Sequence, residues 1–184
     1  MNLPNKLTIF RVILIPFFVF FLLAPFFEGY GNYIALAIFC VASLTDMLDG
    51  KIARKHNLVT NFGKFMDPLA DKLLVCTALI CLIYNNKDIV FLCVVLVIIA
   101  REFIISGFRL VASDNGVVIA ASYWGKFKTV SQMFMVIVMI LNMSLNNVVL
   151  YWIGIVLMYI ALALTVISLL DYVIKNVHVL KEQI

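Results

Sequence analysis

Four aspartates, Asp46, Asp49, Asp67 and Asp71, are the residues of this chain whose type and spacing point most directly to chemistry. Asp46 and Asp49 stand three apart and Asp67 and Asp71 four apart, so each pair shares one face of a helix. The spacer Lys55 to Phe62 turns the chain back so that the two pairs can meet. Four carboxylates in one low-dielectric pocket repel one another and cannot all stay ionised unaided. One or two divalent cations resolve the conflict, and hard oxygen donors of this kind suit Mg²⁺, with Mn²⁺ or Ca²⁺ as alternatives. Two such ions about 3.5–4 Å apart clamp the attacking and leaving oxygens of a phosphoryl transfer. Gly50, Ala53 and Gly63 lack bulk beside the carboxylates and leave room for a nucleotide or a close backbone approach. Arg54 adds a fixed cation suited to a phosphate.

The elements that position these residues belong to a membrane. The chain has 184 residues, of which 65% are apolar and 13% charged, far from the usage of soluble domains. A spanning helix needs about 20 mostly apolar residues, and six candidates follow in order: 8–27, 33–54, 66–85, 88–110, 124–145 and 148–174. The breaks between them carry turn chemistry, as in Asn85-Asn86-Lys87-Asp88 and Asn142 to Asn147. Short connections imply antiparallel neighbours. The expected fold is therefore all-α: a polytopic bundle of six transmembrane helices, forming a single domain over residues 1–184. The first apolar run, Val12 to Phe27, superficially resembles a secretory signal, but it ends in Ala24-Pro25-Phe26-Phe27 without a cleavage pattern and reads as an uncleaved helix. The preceding segment Asn2 to Thr8 reads as interfacial.

With six spans, every basic residue except Lys87 falls on the side of the two termini, which the positive-inside rule makes cytoplasmic. That distribution accounts for the net charge of +4 without nucleic acid, since no Lys/Arg block with interleaved aromatics is present. Cys40, Cys76, Cys81 and Cys93 lie in apolar stretches without metal-ligand spacing and read as buried, inert thiols. His56 and His178 stand alone and receive no role. Helices two to four turn polar in their cytoplasmic parts, where Asp46, Asp49, Asp67, Asp71, Arg101, Glu102 and Arg109 cluster. Ionisable groups there are costly unless paired or facing water, which implies a cytoplasm-facing polar cavity. Helix capping could explain one aspartate pair, but four carboxylates with small residues interleaved are too expensive in a membrane for that alone.

From Asp46 to Asp71 the chain resembles, without a mismatch, the signature of the CDP-alcohol phosphotransferase family, and the six-helix layout extends the resemblance to nearly the whole chain. The resemblance implies that Asp46, Asp49, Asp67 and Asp71 hold a two-metal centre at the cytoplasmic membrane surface, with Asp71 as general base. It also implies that Gly50, Ala53 and Gly63, with Arg54, accommodate the CDP-lipid, and that the protein is a homodimer. Three further segments resemble the phosphatidylglycerophosphate synthase branch: Leu3 to Thr8 with Arg11, Arg101-Glu102-Phe103 running to Ser106 and Arg109, and Gly125 to Thr129 with Gln132. That branch joins CDP-diacylglycerol to sn-glycerol 3-phosphate within the membrane lipids.

The charges agree with such an acceptor. Arg101 and Arg109 lie two turns apart on similar faces of helix four, and Lys126 and Lys128 approach from helix five. Cations beyond a metal site suit an acceptor that carries its own phosphate. Lys126 and Lys128 could instead be ordinary cytoplasmic decoration, and Arg101 could pair with Glu102 to orient helix four. Phosphatidylglycerol and inositol phosphate remain alternative acceptors. From a different class, a divalent cation transporter also gathers intramembrane acids, although all the acids here sit near one face. Asp171 and the tail from Lys175 to Ile184 read as a solvated helix end.

Overall fold

A computed structural model describes residues 2–24, 29–55, 61–114 and 122–181. Within these ranges the side chains of Leu3, Pro4, 47–55, 61–65, Asp67, Pro68, Leu110, Val111, Ser113, Asp114 and 176–181 lie outside the described set. Six helices follow in order: α1 (Leu3–Leu23), α2 (Gly31–Lys55), α3 (Asn61–Asn86), α4 (Ile89–Asp114), α5 (Tyr123–Leu145) and α6 (Val148–Lys181). No strand occurs among the described residues. Among the described residues five of the helices are long and apolar enough to cross a bilayer, and α2 is apolar over Gly31–Asp46. The protein is thus an all-helical, multi-pass membrane protein.

The turn residues act as expected. Asn146 ends α5 in the left-handed region at φ 44°, a conformation that Asn tolerates better than most residues. Its backbone N–H donates to the Asn142 carbonyl at 2.8 Å. The side chain of Asn147 then accepts from the N–H of Val149 at 2.8 Å and opens α6. Asp88 caps α4 in the same way, accepting from Val90 N–H at 2.9 Å. Ser122 caps α5 through the N–H of Gly125 at 3.2 Å. Pro16 sits inside α1, where it removes one backbone donor; packed neighbours make this tolerable in membrane helices.

The interior joins all six helices. Phe18 and Leu22 of α1 meet Ala35, Phe39 and Ala42 of α2, and Leu74, Ala78 and Leu82 of α3 belong to the same core. Phe91, Val95 and Ile98 of α4, Met135 and Ile140 of α5, and Met158 and Ala161 of α6 complete it. Gly154 lets α6 approach α5 closely, for a Cβ there would stand 3.3 Å from Met139 Cγ. Large apolar side chains such as Phe17, Ile80, Leu96 and Val156 face outward, the reverse of a water-soluble protein and suited to lipid.

One boundary differs instructively. The helix of α1 begins at Leu3, not near Thr8, so the segment read as interfacial is its first turns. Asn5, Thr8 and Arg11, three apart on one face, are 7%, 0% and 0% exposed. This polar stripe turns inward because its partner is a carboxylate of α2.

Candidate active site

A cavity of about 790 Å³ opens between α2, α3, α4, α5 and α6. Asp46, Asp71, Lys72, Arg101, Glu102, Ser106, Arg109, Lys126 and Tyr172 supply its polar lining. The apolar lining comes from Leu44 on α2 and Val130, Met133, Phe134 and Ile137 on α5. Ile137 lies twelve residues beyond Gly125, about 18 Å along the helix axis. The cavity therefore runs from charged helix ends well into the apolar depth of the bundle. Leu44, Val130 and Phe134 line the cavity and are about half exposed, so this apolar part of the wall is open rather than sealed inside the bundle.

The structure brings Asp46 and Asp71 to this one cavity from two helices. Arg11, fully buried in α1, pairs with Asp46 at 2.7 Å between Nη1 and Oδ1, while the Asp46 side chain stays 37% exposed. The carboxylate is thus held by an arginine that does not line the cavity, and still presents itself to it. Two such carboxylates are hard oxygen donors and fit a divalent cation of the Mg²⁺ class. Asp49 and Asp67 fall within α2 and α3, as do Gly50, Ala53, Arg54 and Gly63; the side chains of all six lie outside the described residues.

The cations sort into two groups. Glu102 on α4 pairs with Arg101 at 3.2 Å and with Lys128 of α5. Lys128 is 1% exposed and absent from the lining of the large cavity, whereas Arg101 is 8% exposed and lines it. Both therefore have a carboxylate partner, and the Glu102–Lys128 contact ties α4 to α5. Gly125 of α5 packs beside Arg101, whose Nη2 would stand in ordinary contact, 3.5 Å, with a Cβ at that position. Lys72, Arg109 and Lys126 form the second group: among the described residues none of them pairs with a carboxylate. Arg109 lies over the Tyr172 ring at 5.7 Å and Lys126 over Tyr123 at 5.2 Å, contacts that favour a cation by the ring quadrupole.

The sequence alone places Arg11 only in a segment of family resemblance and Lys72 only as a candidate ion-pair partner of the aspartates, and gives Tyr172 no role. Tyr172 is 3% exposed and is also met edge-on by Phe108, so α6 enters the site through a residue far from the signature. Its neighbour Asp171 pairs with Lys175 one turn on, at 2.5 Å, as a helix end facing water would.

Comparison with known proteins points to one family. A model of the CDP-alcohol phosphatidyltransferase family matches residues 1–167. A Bacillus subtilis (strain 168) protein named CDP-diacylglycerol–glycerol-3-phosphate 3-phosphatidyltransferase is 43% identical, over 98% of this chain and 97% of its own length. Proteins of the same name from Rickettsia typhi and Haemophilus influenzae are 41% and 39% identical, each over 93% of this chain and 94% and 91% of their own. With its signature, its helices and its relatives in agreement over nearly the full length, the chain belongs to the CDP-alcohol phosphatidyltransferase family.

Proposed function

We propose that this protein transfers the phosphatidyl group of CDP-diacylglycerol to sn-glycerol 3-phosphate, forming phosphatidylglycerophosphate and releasing CMP. The observation that carries this reading is the cavity itself. It joins two carboxylates to cations that have no carboxylate partner among the described residues at one end and to an open apolar wall at the other. A phosphorylated, water-soluble acceptor suits the first region and a diacylglycerol tail the second. The names of relatives similar over nearly the whole chain support the same pair of substrates.

In this mechanism the lipid tails lie along Leu44, Val130, Phe134 and Ile137, which places the pyrophosphate near Asp46 and Asp71. Asp71 accepts the proton from the primary hydroxyl of the acceptor. The hydroxyl oxygen attacks the phosphorus that carries diacylglycerol, and the bond from that phosphorus to CMP breaks in line. Arg11 keeps Asp46 oriented, and Arg109 attracts the acceptor phosphate. Asp46, Asp49, Asp67 and Asp71 would hold two Mg²⁺ or Mn²⁺ ions, which when bound supply charge neutralisation for the pyrophosphate and the leaving CMP. The reading extends to a homodimer in the cell membrane with termini and active site on the cytoplasmic side, supported by the family resemblance and the distribution of basic residues.

The test is CMP release by detergent-purified protein given CDP-diacylglycerol and Mg²⁺ with glycerol 3-phosphate, inositol phosphate, phosphatidylglycerol or serine. Release that depends on glycerol 3-phosphate and stops with a chelator is the expected result. Release with another acceptor keeps the chemistry and overturns the acceptor; no release from folded protein favours cation transport, which a vesicle flux assay measures.

A further inference from the structure

We infer that Lys72, held by Ser106, is the ligand of the acceptor's phosphate and works with Arg109, about one turn beyond Ser106 on α4, an assignment that rests on the function proposed above. The charges lead there by elimination. Of the cations at the polar end, Arg11 serves Asp46, while Arg101 and Lys128 share Glu102. Lys126 also lines the cavity without a carboxylate partner among the described residues, but it rests on the exposed ring of Tyr123, whereas Arg109 lies over the buried ring of Tyr172. Lys72 and Arg109 both line the cavity and have no carboxylate partner among the described residues. An anion is the missing component of such a pair.

The hydrogen bonds around Lys72 fix its direction. Ser106 Oγ donates to the Glu102 carbonyl at 2.5 Å, so its oxygen is left to accept, and the Lys72 ammonium donates to it. An ammonium has three donors; one is used on Ser106, and two remain for the cavity. The hydroxyl of Ser106 thus parks Lys72 without neutralising it, as a carboxylate in the same place would. Ser106 and Arg109 are three apart on α4, on neighbouring parts of one face, so the same helix anchors one cation and carries the other.

The position also suits the reaction. Lys72 follows Asp71 directly, and successive helical residues project about 100° apart. Glycerol 3-phosphate carries its reacting hydroxyl and its phosphate at opposite ends of a three-carbon chain. With the hydroxyl at Asp71 and the phosphate at Lys72, two consecutive residues of α3 grip both ends of one small molecule. A neutral acceptor would leave Lys72 and Arg109 without a counter-ion among the described residues, which gives the site its selectivity.

Lys72→Met, Lys72→Arg and Ser106→Ala, purified in detergent and matched to wild type by thermal melting, test this with separate titrations of each substrate and of inorganic phosphate as inhibitor. Loss of a charge-assisted hydrogen bond predicts that Lys72→Met raises the KM for glycerol 3-phosphate by about tenfold or more. The inhibition constant of inorganic phosphate should rise in parallel, while the KM for CDP-diacylglycerol stays within about twofold. Lys72→Arg should recover part of the loss, and Ser106→Ala should raise the same KM by about three- to fivefold. If Lys72→Met does not fold, Ser106→Ala decides alone. An unchanged KM for the acceptor, or an equal rise for both substrates, overturns the assignment. A wild-type protein that uses a different phosphorylated acceptor overturns the proposed function but leaves Lys72 to be judged with that acceptor; one that uses only a neutral acceptor overturns both.

Discussion

Arg11 of α1 holds Asp46 of α2 at 2.7 Å and is itself fully buried. An arginine sealed into a membrane bundle is expensive unless its charge is matched, and the match is one of the signature carboxylates. Arg11→Met should therefore do two things. It should lower stability by about 2–3 kcal/mol, less than for a pair buried on both sides, because Asp46 remains open to the cavity. It should also raise the Mg²⁺ concentration for half-maximal activity and weaken Mn²⁺ binding measured by electron paramagnetic resonance. Arg11→Lys should fall between the two. Unchanged Mn²⁺ binding in a folded Arg11→Met protein would limit Arg11 to a role in folding.

Glu102 is the clasp between α4 and α5 through Lys128. Glu102→Gln strands a buried ammonium, a change that costs on the order of 3 kcal/mol. Thermal melting should show most of that loss, and Glu102→Gln combined with Lys128→Met should recover a substantial part, because the unpaired charge is gone. A double variant that melts as low as the single one, or lower, would contradict the clasp.

Tyr172 carries Arg109 on its ring. Tyr172→Phe keeps the ring and should leave the KM for glycerol 3-phosphate within about twofold. Tyr172→Leu removes a contact worth about 0.5–1 kcal/mol and should raise that KM by about two- to fivefold, with the KM for CDP-diacylglycerol unmoved. Equal effects from Phe and Leu would assign the role to the hydroxyl instead.

Asp71→Asn should abolish turnover while sparing much of the CDP-diacylglycerol binding, as measured by equilibrium binding of the radiolabelled lipid in mixed micelles. If binding and turnover vanish together, Asp71 is a metal ligand before it is a base. Chelation of wild-type protein should stop CMP release, and added Mg²⁺ or Mn²⁺ should restore it.

Much of the fold is legible because its signals are local. Apolar runs mark the spans, and the Asn142 to Asn147 stretch caps two helices with its own side chains. Asp46 and Asp71 line one cavity from two helices, as expected of a chain that turns back between the two aspartate pairs. What is not legible depends on partners distant in sequence. The stripe Asn5, Thr8, Arg11 looks like a wet helix end until Asp46 is seen opposite Arg11. Lys126 and Lys128, two residues apart, look alike in sequence. Their directions on α5 separate them, one exposed at the cavity and one buried against Glu102. Tyr172 has no pattern to announce it, since its significance comes from Arg109 on another helix. The adjacency of Lys72 to Asp71 is plain in the sequence, but that no carboxylate among the described residues pairs with Lys72 depends on the ion pairs.

Leu44, Val130 and Phe134 give the cavity an apolar wall that is open rather than sealed inside the bundle. A substrate with two fatty chains can consequently come in sideways, keeping its tails among those of its neighbours. Encounter then becomes a search in two dimensions, governed by how crowded the lipid is within its own layer, while the acceptor arrives through water in three. In mixed micelles, diluting CDP-diacylglycerol with inert detergent at a fixed bulk amount should slow the reaction, whereas dilution of the whole suspension at a fixed lipid-to-detergent ratio should leave the turnover of each molecule nearly unaltered so long as the acceptor is saturating.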